Sequence, residues 1–311
     1  MNNLSNSILD YYLSHFDELQ PDKQGHFATR LHLWCQDPQV AGHIAALRPW
    51  FTAGEQPKAA LQQLIALSQE TAGHGSKNAG ELRQTYFVRY PLLKPVVLVL
   101  FRINFLQTVY GVDCRELFYQ LFAQKDVLRL RDDLLKDTEA LSILSTHAIN
   151  FLYLLERCIN QRDDTLPLAH FLEVGKTAYN RSDKLHLQLL IYLYTHCIIG
   201  DARFYYRALP ARHAPVYTAM LQELEALIGQ HYEDINLDNK FEFLVCCKIA
   251  GFTSGHEERI FDEASRSQSP DGVFLVDRFN NNPQAGNISL DTSEHRNVLF
   301  IMANRDFTPL G

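Results

Sequence analysis

Apolar residues recur at helical spacing along almost the whole of this 311-residue chain, and runs with the two-residue alternation of a half-buried strand are nearly absent. Ile8, Tyr11, Tyr12, Phe16 and Leu19 form one stripe, which ends near Pro21. Further helices are expected over 26–35, 40–50, 59–67, 91–110, 117–122, 127–135, 140–159, 170–178, 184–199, 215–228, 237–250 and in a final pair within 254–303. The run Pro91 to Tyr110 is apolar on nearly every face, with Pro95 suited to a first-turn position, and reads as a buried helix. Roughly fourteen to sixteen helices with short connections specify an all-α protein of stacked helical hairpins. The clearest break is G-H-G-S-K-N-A-G, residues 73–80, but apolar helices flank it on both sides. The chain is therefore read as one all-α domain, 1–311, with a looser N-terminal part, 1–80.

Composition narrows the function classes. With 46% hydrophobic and 21% charged residues the chain has ample material for a large core. A net charge of -7 leaves no basic excess, so nucleic acid is not an expected partner. Apolar runs such as Val96 to Phe101 are too short to span a bilayer, and no membrane partner is expected. The six cysteines form no C-x-x-C pair and mostly lie in apolar helical patterns, as buried free thiols of a reducing compartment would. The N-terminus lacks the basic and apolar regions of a secretion signal, and a cytoplasmic location is expected.

The stretch from Ser254 to Ala303 concentrates the ionisable groups. Ser254 with Glu257, and Asp291 with Glu294, each have capping-box spacing and mark two expected helix starts. R-S-D-K-L-H-L, L-D-N-K-F-E-F and S-E-H-R-N-V-L each place a basic residue just before an apolar run, with Lys184, Lys240 and Arg296 separated by equal intervals of 56 residues. On this pattern the helix starts at Asp183, Asn239 and His295 are equivalent.

Between the last two helices, Gln268, Gly272 and Phe274 lie in the order Q-x-x-x-G-x-F. This segment resembles the Q-x-x-x-G-x-W/F repeat of squalene and oxidosqualene cyclases and related α/α-toroid proteins; Gln107, Gly111 and Asp113 make a degenerate second copy. The resemblance covers about a tenth of the chain. It implies an α/α toroid, complete or incomplete, in which Gln268 satisfies helix-end groups and Phe274 packs beneath it. It also implies that inner helices point their starts toward a central cavity. Asp183, Lys184, Asp238, Asn239, Lys240 and Arg296 would then bind a polar ligand at its mouth, and His295, Glu294, Asp271 and Asp277 would be the acid-base groups. His295, between Glu294 and Arg296, is the favoured member. The plainer alternative makes Asp238, Asp291 and Glu294 ordinary first-turn residues and Lys184 a solvated charge.

Other chemistry finds no support. Asp132, Asp133 and Asp137 resemble the aspartate-rich motif of class I terpene synthases, but the third acid comes one residue late and Arg129, Arg131 and Lys136 interleave, so a salt-bridged face is expected. The D-x-D-D acid of the cyclases is missing. His147 and His196 read as core histidines, and no zinc-binding C-H-G occurs, so no metal or other cofactor is expected. P-loop, G-x-G-x-x-G, G-x-S-x-G and H-E-x-x-H motifs are missing too. Two readings stand: an enzyme acting on a small molecule, sugar or modified peptide by acid-base chemistry, and a helical-repeat protein that binds a peptide or protein partner without reaction.

Overall fold

The computed structural model describes residues 2–70, 79–276 and 288–311, so Asp277 and nearly all of the 73–80 loop lie outside the described residues. Sixteen α-helices follow one another among the described residues: α1 Asn2–Ser14, α2 Pro21–Cys35, α3 Ala41–Thr52, α4 Pro57–Glu70, α5 Ala79–Arg89, α6 Leu93–Tyr110, α7 Phe118–Leu121 and α8 Gln124–Lys136. Then come α9 Thr138–Ile143, α10 Ser145–Leu154, α11 Leu168–Thr177, α12 Lys184–Asp201, α13 Ala214–Gln230, α14 Leu237–Ala250, α15 Glu257–Arg266 and α16 Leu290–Ala303. Among the described residues there is no strand, only one isolated antiparallel bridge between Gln268 and Leu275. The all-α class is as expected. Packing divides the helices into two compact units, residues 1–47 with 204–311 and residues 48–203.

In the first unit α16 is the central helix, packed against α1, α2 and α14, while α13 and α15 flank α14. Its core includes the fully buried rings of Tyr12, Phe27, Trp34 and Phe241. Both expected capping boxes differ from the observed ones. The Ser254 hydroxyl donates to Glu225 at 2.7 Å, and α15 begins only at Glu257. Helix α16 starts two residues before the expected place: Ser289 caps it, accepting from the Thr292 amide, and the Thr292 side chain bonds back to Ser289. Asp291 is then inside the first turn, and its carboxylate accepts from the Gln20 amide at 2.9 Å.

In the second unit α6 packs against α4 and α10, and α10 against α12. Leu93–Tyr110 is the one described helix long and apolar enough to cross a membrane, and over half of it is buried inside the fold. Two glycines permit close approaches: a methyl on Gly175 would lie 2.1 Å from the Tyr194 hydroxyl, and one on Gly200 would lie 2.7 Å from the Tyr153 ring. A π-helical turn at Leu155–Ile159 carries Arg157, whose Nε donates to Asp201 at 2.7 Å in a fully buried pair. The aspartates resembling a terpene-synthase motif are structural: Asp132 pairs with Arg131, and Asp137 caps α9 and binds Arg89 and Tyr90. All six cysteines are free thiols, and burial pushes Cys158 up to about 11 and Cys114 to about 12.

The equal intervals seen in the sequence have a structural counterpart in a different register. Lys184, Lys240 and Arg296 are the first, fourth and seventh residues of α12, α14 and α16, and are not equivalent. The side chains that cap those helices, Asp183, Asn236 and Ser289, are evenly spaced instead, at 53 residues. The cap, whose oxygen satisfies an otherwise orphaned amide, defines a helix start; the first charged residue does not.

Candidate functional site

Because α16 packs against α1, α2 and α14, three consecutive ionisable residues in its second turn reach partners on two neighbouring helices, α2 and α14. Glu294 is fully buried and its Oε1 lies 2.7 Å from Nδ1 of His26 on α2. His295 turns to α14, with Nδ1 3.1 Å from Oδ1 of Asp238. Arg296 grips the same carboxylate from Nε at 3.0 Å and Nη2 at 2.9 Å. The two imidazoles, each tied to a carboxylate through Nδ1, lie 5.5 Å apart between ring centroids and are tilted by 30°.

The electrostatics of these groups differ. Burial raises Glu294 from the usual carboxylate range to about 7, against the opposing pull of Lys23, His295 and Arg30. Its second oxygen has no hydrogen-bond partner; Lys23 Nζ is 3.8 Å away, an ion-pair distance only. His26 is held well below the imidazole range, first by burial and then by Arg30, His295 and Lys23. Asp238 is held down to about 2: burial opposes this, and the hydrogen bond from His295 and the charges of Arg296 and His295 outweigh it. One pair thus centres on a proton-holding acid and the other on a permanent carboxylate.

Around this centre the chain is pinned by further polar contacts. Asn297 accepts from the Leu275 amide at 2.8 Å and donates to the Leu275 carbonyl at 3.0 Å, fixing the segment after α15 against α16. Lys240 is fully buried, with Nζ 2.7 Å from Glu263 and 3.8 Å from the centre of the Tyr232 ring. The Gln268 side chain donates to the Ser265 carbonyl at the end of its own preceding helix, Gly272 takes φ +75°, and buried Phe274 meets the rings of Tyr11 and Tyr12.

Of the residues singled out in the sequence, the structure joins Asp238, His295 and Arg296 directly, and links Glu294 through α16. Asn239 is buried on α14, with its Nδ2 unpartnered. Lys240 pairs with Glu263 on α15. Asp183 and Lys184 belong to the other unit, where Asp183 accepts from the amides of Leu185 and His186 as the cap of α12. Asp271 is exposed and accepts from the Ser269 hydroxyl; it is not the acid paired with His295, a place that Asp238 takes. Asp271 instead lines an open cleft of about 550 Å³ with Tyr11, Glu18, Phe274 and Asp291. Asp277 lies outside the described residues. Glu294, His295 and Arg296 are in the second turn, not the first, because α16 starts at Leu290.

Sequence reasoning missed His26. The available signal was the helical spacing of Lys23, His26 and Arg30, a basic stripe on α2. Nothing local connects that stripe to Glu294, 268 residues away.

The arrangement leaves Nε2 of both imidazoles without a hydrogen-bond partner among the described residues, while 29% of the His26 side chain and 34% of the His295 side chain stay accessible. With Glu294 ionised, Nδ1–H of His26 donates to the carboxylate and Nε2 presents a lone pair. With Glu294 protonated, its hydroxyl donates to Nδ1 and Nε2 carries the hydrogen. The exposed nitrogen therefore changes from donor to acceptor as Glu294 ionises around pH 7. Two rings form an incomplete donor set, and the described residues contain no group of three His, Cys, Asp or Glu able to hold a metal ion. Compared with protein-family models, with curated proteins and with solved structures, the chain shows no match.

Proposed function

We propose that the first unit carries an acid-base site built on the His26–Glu294 and His295–Asp238 pairs, acting on a polar small molecule, sugar or modified peptide. The observation that carries this reading is that two imidazoles 5.5 Å apart each spend Nδ1 on a buried or nearly buried carboxylate and keep Nε2 open. Pairs of titratable groups whose environments differ are what proton transfer in two directions requires. His26 serves as base once Glu294 is ionised, His295 backed by Asp238 serves as the proton donor, and Arg296 fixes Asp238 in place. We further place the fold with the α/α toroids; the Gln268 cap, the left-handed Gly272 and the buried Phe274 support that assignment.

Diethylpyrocarbonate acylates an imidazole nitrogen that has a free lone pair, which makes it a direct test. His26 and His295 should be modified at Nε2, with His26 reacting faster above pH 7 than below it. Turnover of polar metabolites in a defined mixture should be lost in both His26→Gln and His295→Gln. Failure of both rings to react, or turnover retained in both variants, would sink the assignment.

A second reading, a helical protein that holds a peptide without reaction, has one specific observation in its favour. The open cleft near Asp271 combines the Tyr11 and Phe274 rings with Glu18 and Asp291, a lining suited to a basic side chain. Binding of such a peptide without any turnover would move this reading ahead.

A further inference from the structure

The second unit contains a cationic cluster that the proposed acid-base site does not use. Helix α5 lays Arg83 and Phe87, one turn apart and so on one face, along the junction of α9 and α10. Arg83 Nε donates to the Ile143 carbonyl at 3.3 Å, and four residues on in both elements the Phe87 ring meets the His147 ring edge-on, 4.9 Å between centroids. This register leaves Nη2 of Arg83 and Nδ1 of His147 shut off from water with no hydrogen-bond partner. Ser145, at the start of the same helix as His147, has a buried hydroxyl that is the third polar atom here without a partner.

Charge in this region is unbalanced. Lys94 Nζ lies 4.4 Å from the centre of the Phe87 ring, adding a second permanent cation. Among the described side chains, the ionisable groups facing Arg83 are the Tyr192 and Tyr179 hydroxyls, those facing His147 are Arg83 and Lys94, and no carboxylate is among them. The acids of α9 and its cap are committed elsewhere, Asp137 to Arg89 and Tyr90, and Glu139 to Tyr86. A buried guanidinium arm with neither water nor an acceptor is a cost that the fold carries until an anion joins it. A planar guanidinium arm with an imidazole nitrogen nearby suits the oxygens of a carboxylate or phosphate, and the neighbouring tyrosines bring hydroxyls but no charge that would compete for the cation.

We propose that the Arg83–His147 cluster binds an oxyanion, the carboxylate or phosphate group of a small ligand, between the free guanidinium arm and the free imidazole nitrogen. The site is separate in chemistry from the imidazole pairs of the first unit, and either can fail without the other. Burial and the two cations depress His147 to about 4 in the empty protein. An anion placed beside the ring reverses the sign of its dominant neighbour, so occupancy is read from this ring as well as from affinity.

The test is NMR titration of the His147 ring in the full-length protein with sodium phosphate, with sodium acetate, and with sodium chloride at matched ionic strength. Phosphate or acetate should move the His147 signals saturably and raise its pKa by about one unit or more, whereas chloride should not. Arg83→Gln should weaken binding at least about tenfold, while Arg89→Gln, an exposed arginine on the same helix, should leave it unchanged. If Arg83→Gln does not fold, His147→Phe titrated by calorimetry replaces it, with the same loss expected. Saturation by phosphate alone or by acetate alone identifies the source of the oxyanion. Equal responses to all three salts, no response, or an equal loss in Arg89→Gln would overturn the proposal.

Discussion

Nδ1 of His295 lies 3.1 Å from Oδ1 of Asp238, although 57 residues separate them, and the other oxygen of that carboxylate holds Arg296. One side chain at the start of α14 therefore fixes two consecutive side chains of α16. Because Arg296 is 2% exposed, the pair cannot be replaced by water when either member is lost.

Asp238→Ala should consequently destabilise the protein by roughly 3–5 kcal/mol, the range for a buried ion pair broken from one side. Asp238→Asn keeps an acceptor for His295 and should cost less. Urea unfolding of the two variants checks the order; equal, small losses would show that Arg296 finds another partner.

The pH dependence of stability follows from Glu294 and Asp238 with opposite signs. Glu294 is raised from 4.5 to about 7 on folding, so the folded state holds its proton more tightly, and stability falls as pH rises across that window. At about 1.4 kcal/mol per unit the loss is on the order of 3 kcal/mol. Glu294→Gln should be more stable than the parent above pH 7, with the advantage vanishing near pH 4.5. Asp238 is lowered from 3.8 to about 2, so its contribution is full above pH 3.8 and disappears as pH falls through that interval. Denaturant midpoints measured across this range decide both; a Glu294→Gln advantage that does not change with pH would contradict the first.

Glycine substitutions should separate close packing from helix propensity. Gly175→Ala would drive a methyl into the Tyr194 ring, with ring carbon Cζ at 2.2 Å, and should cost about 1–3 kcal/mol or more. Gly42→Ala, in α3 with open space around the new methyl, should stabilise by about 0.5–1 kcal/mol. Thermal melts of the two variants should move in opposite directions.

In the turn after α15, the exposed hydrogen bond from Gln268 to Ser265 should be worth only about 0.5 kcal/mol, whereas Phe274→Ala should cost about 3–5 kcal/mol for an aromatic ring packed against Tyr11 and Tyr12. If Gln268→Ala proved the more damaging, the hydrogen bond rather than the ring would anchor the turn.

What the sequence alone determined is whatever depends on neighbours within a few residues. Apolar spacing specified the all-α class and most helices, including α14 to the residue, because a helix buries one face at a period written directly in the chain. The concentration of ionisable groups at Glu294, His295 and Arg296 was equally visible. Cap identity was legible only in part: Asp183 stood at an expected helix start and does cap α12, but Ser289 displaced Asp291 and the equal intervals moved from charged residues to caps, since several polar residues compete for one orphaned amide. The tertiary structure alone decided the pairings. His26 with Glu294 spans 268 residues, and Asp238 with His295 spans 57. A carboxylate 2.7 Å from an imidazole depends on how α2, α14 and α16 pack, and the same packing removes the water that would otherwise leave Glu294 an ordinary acid.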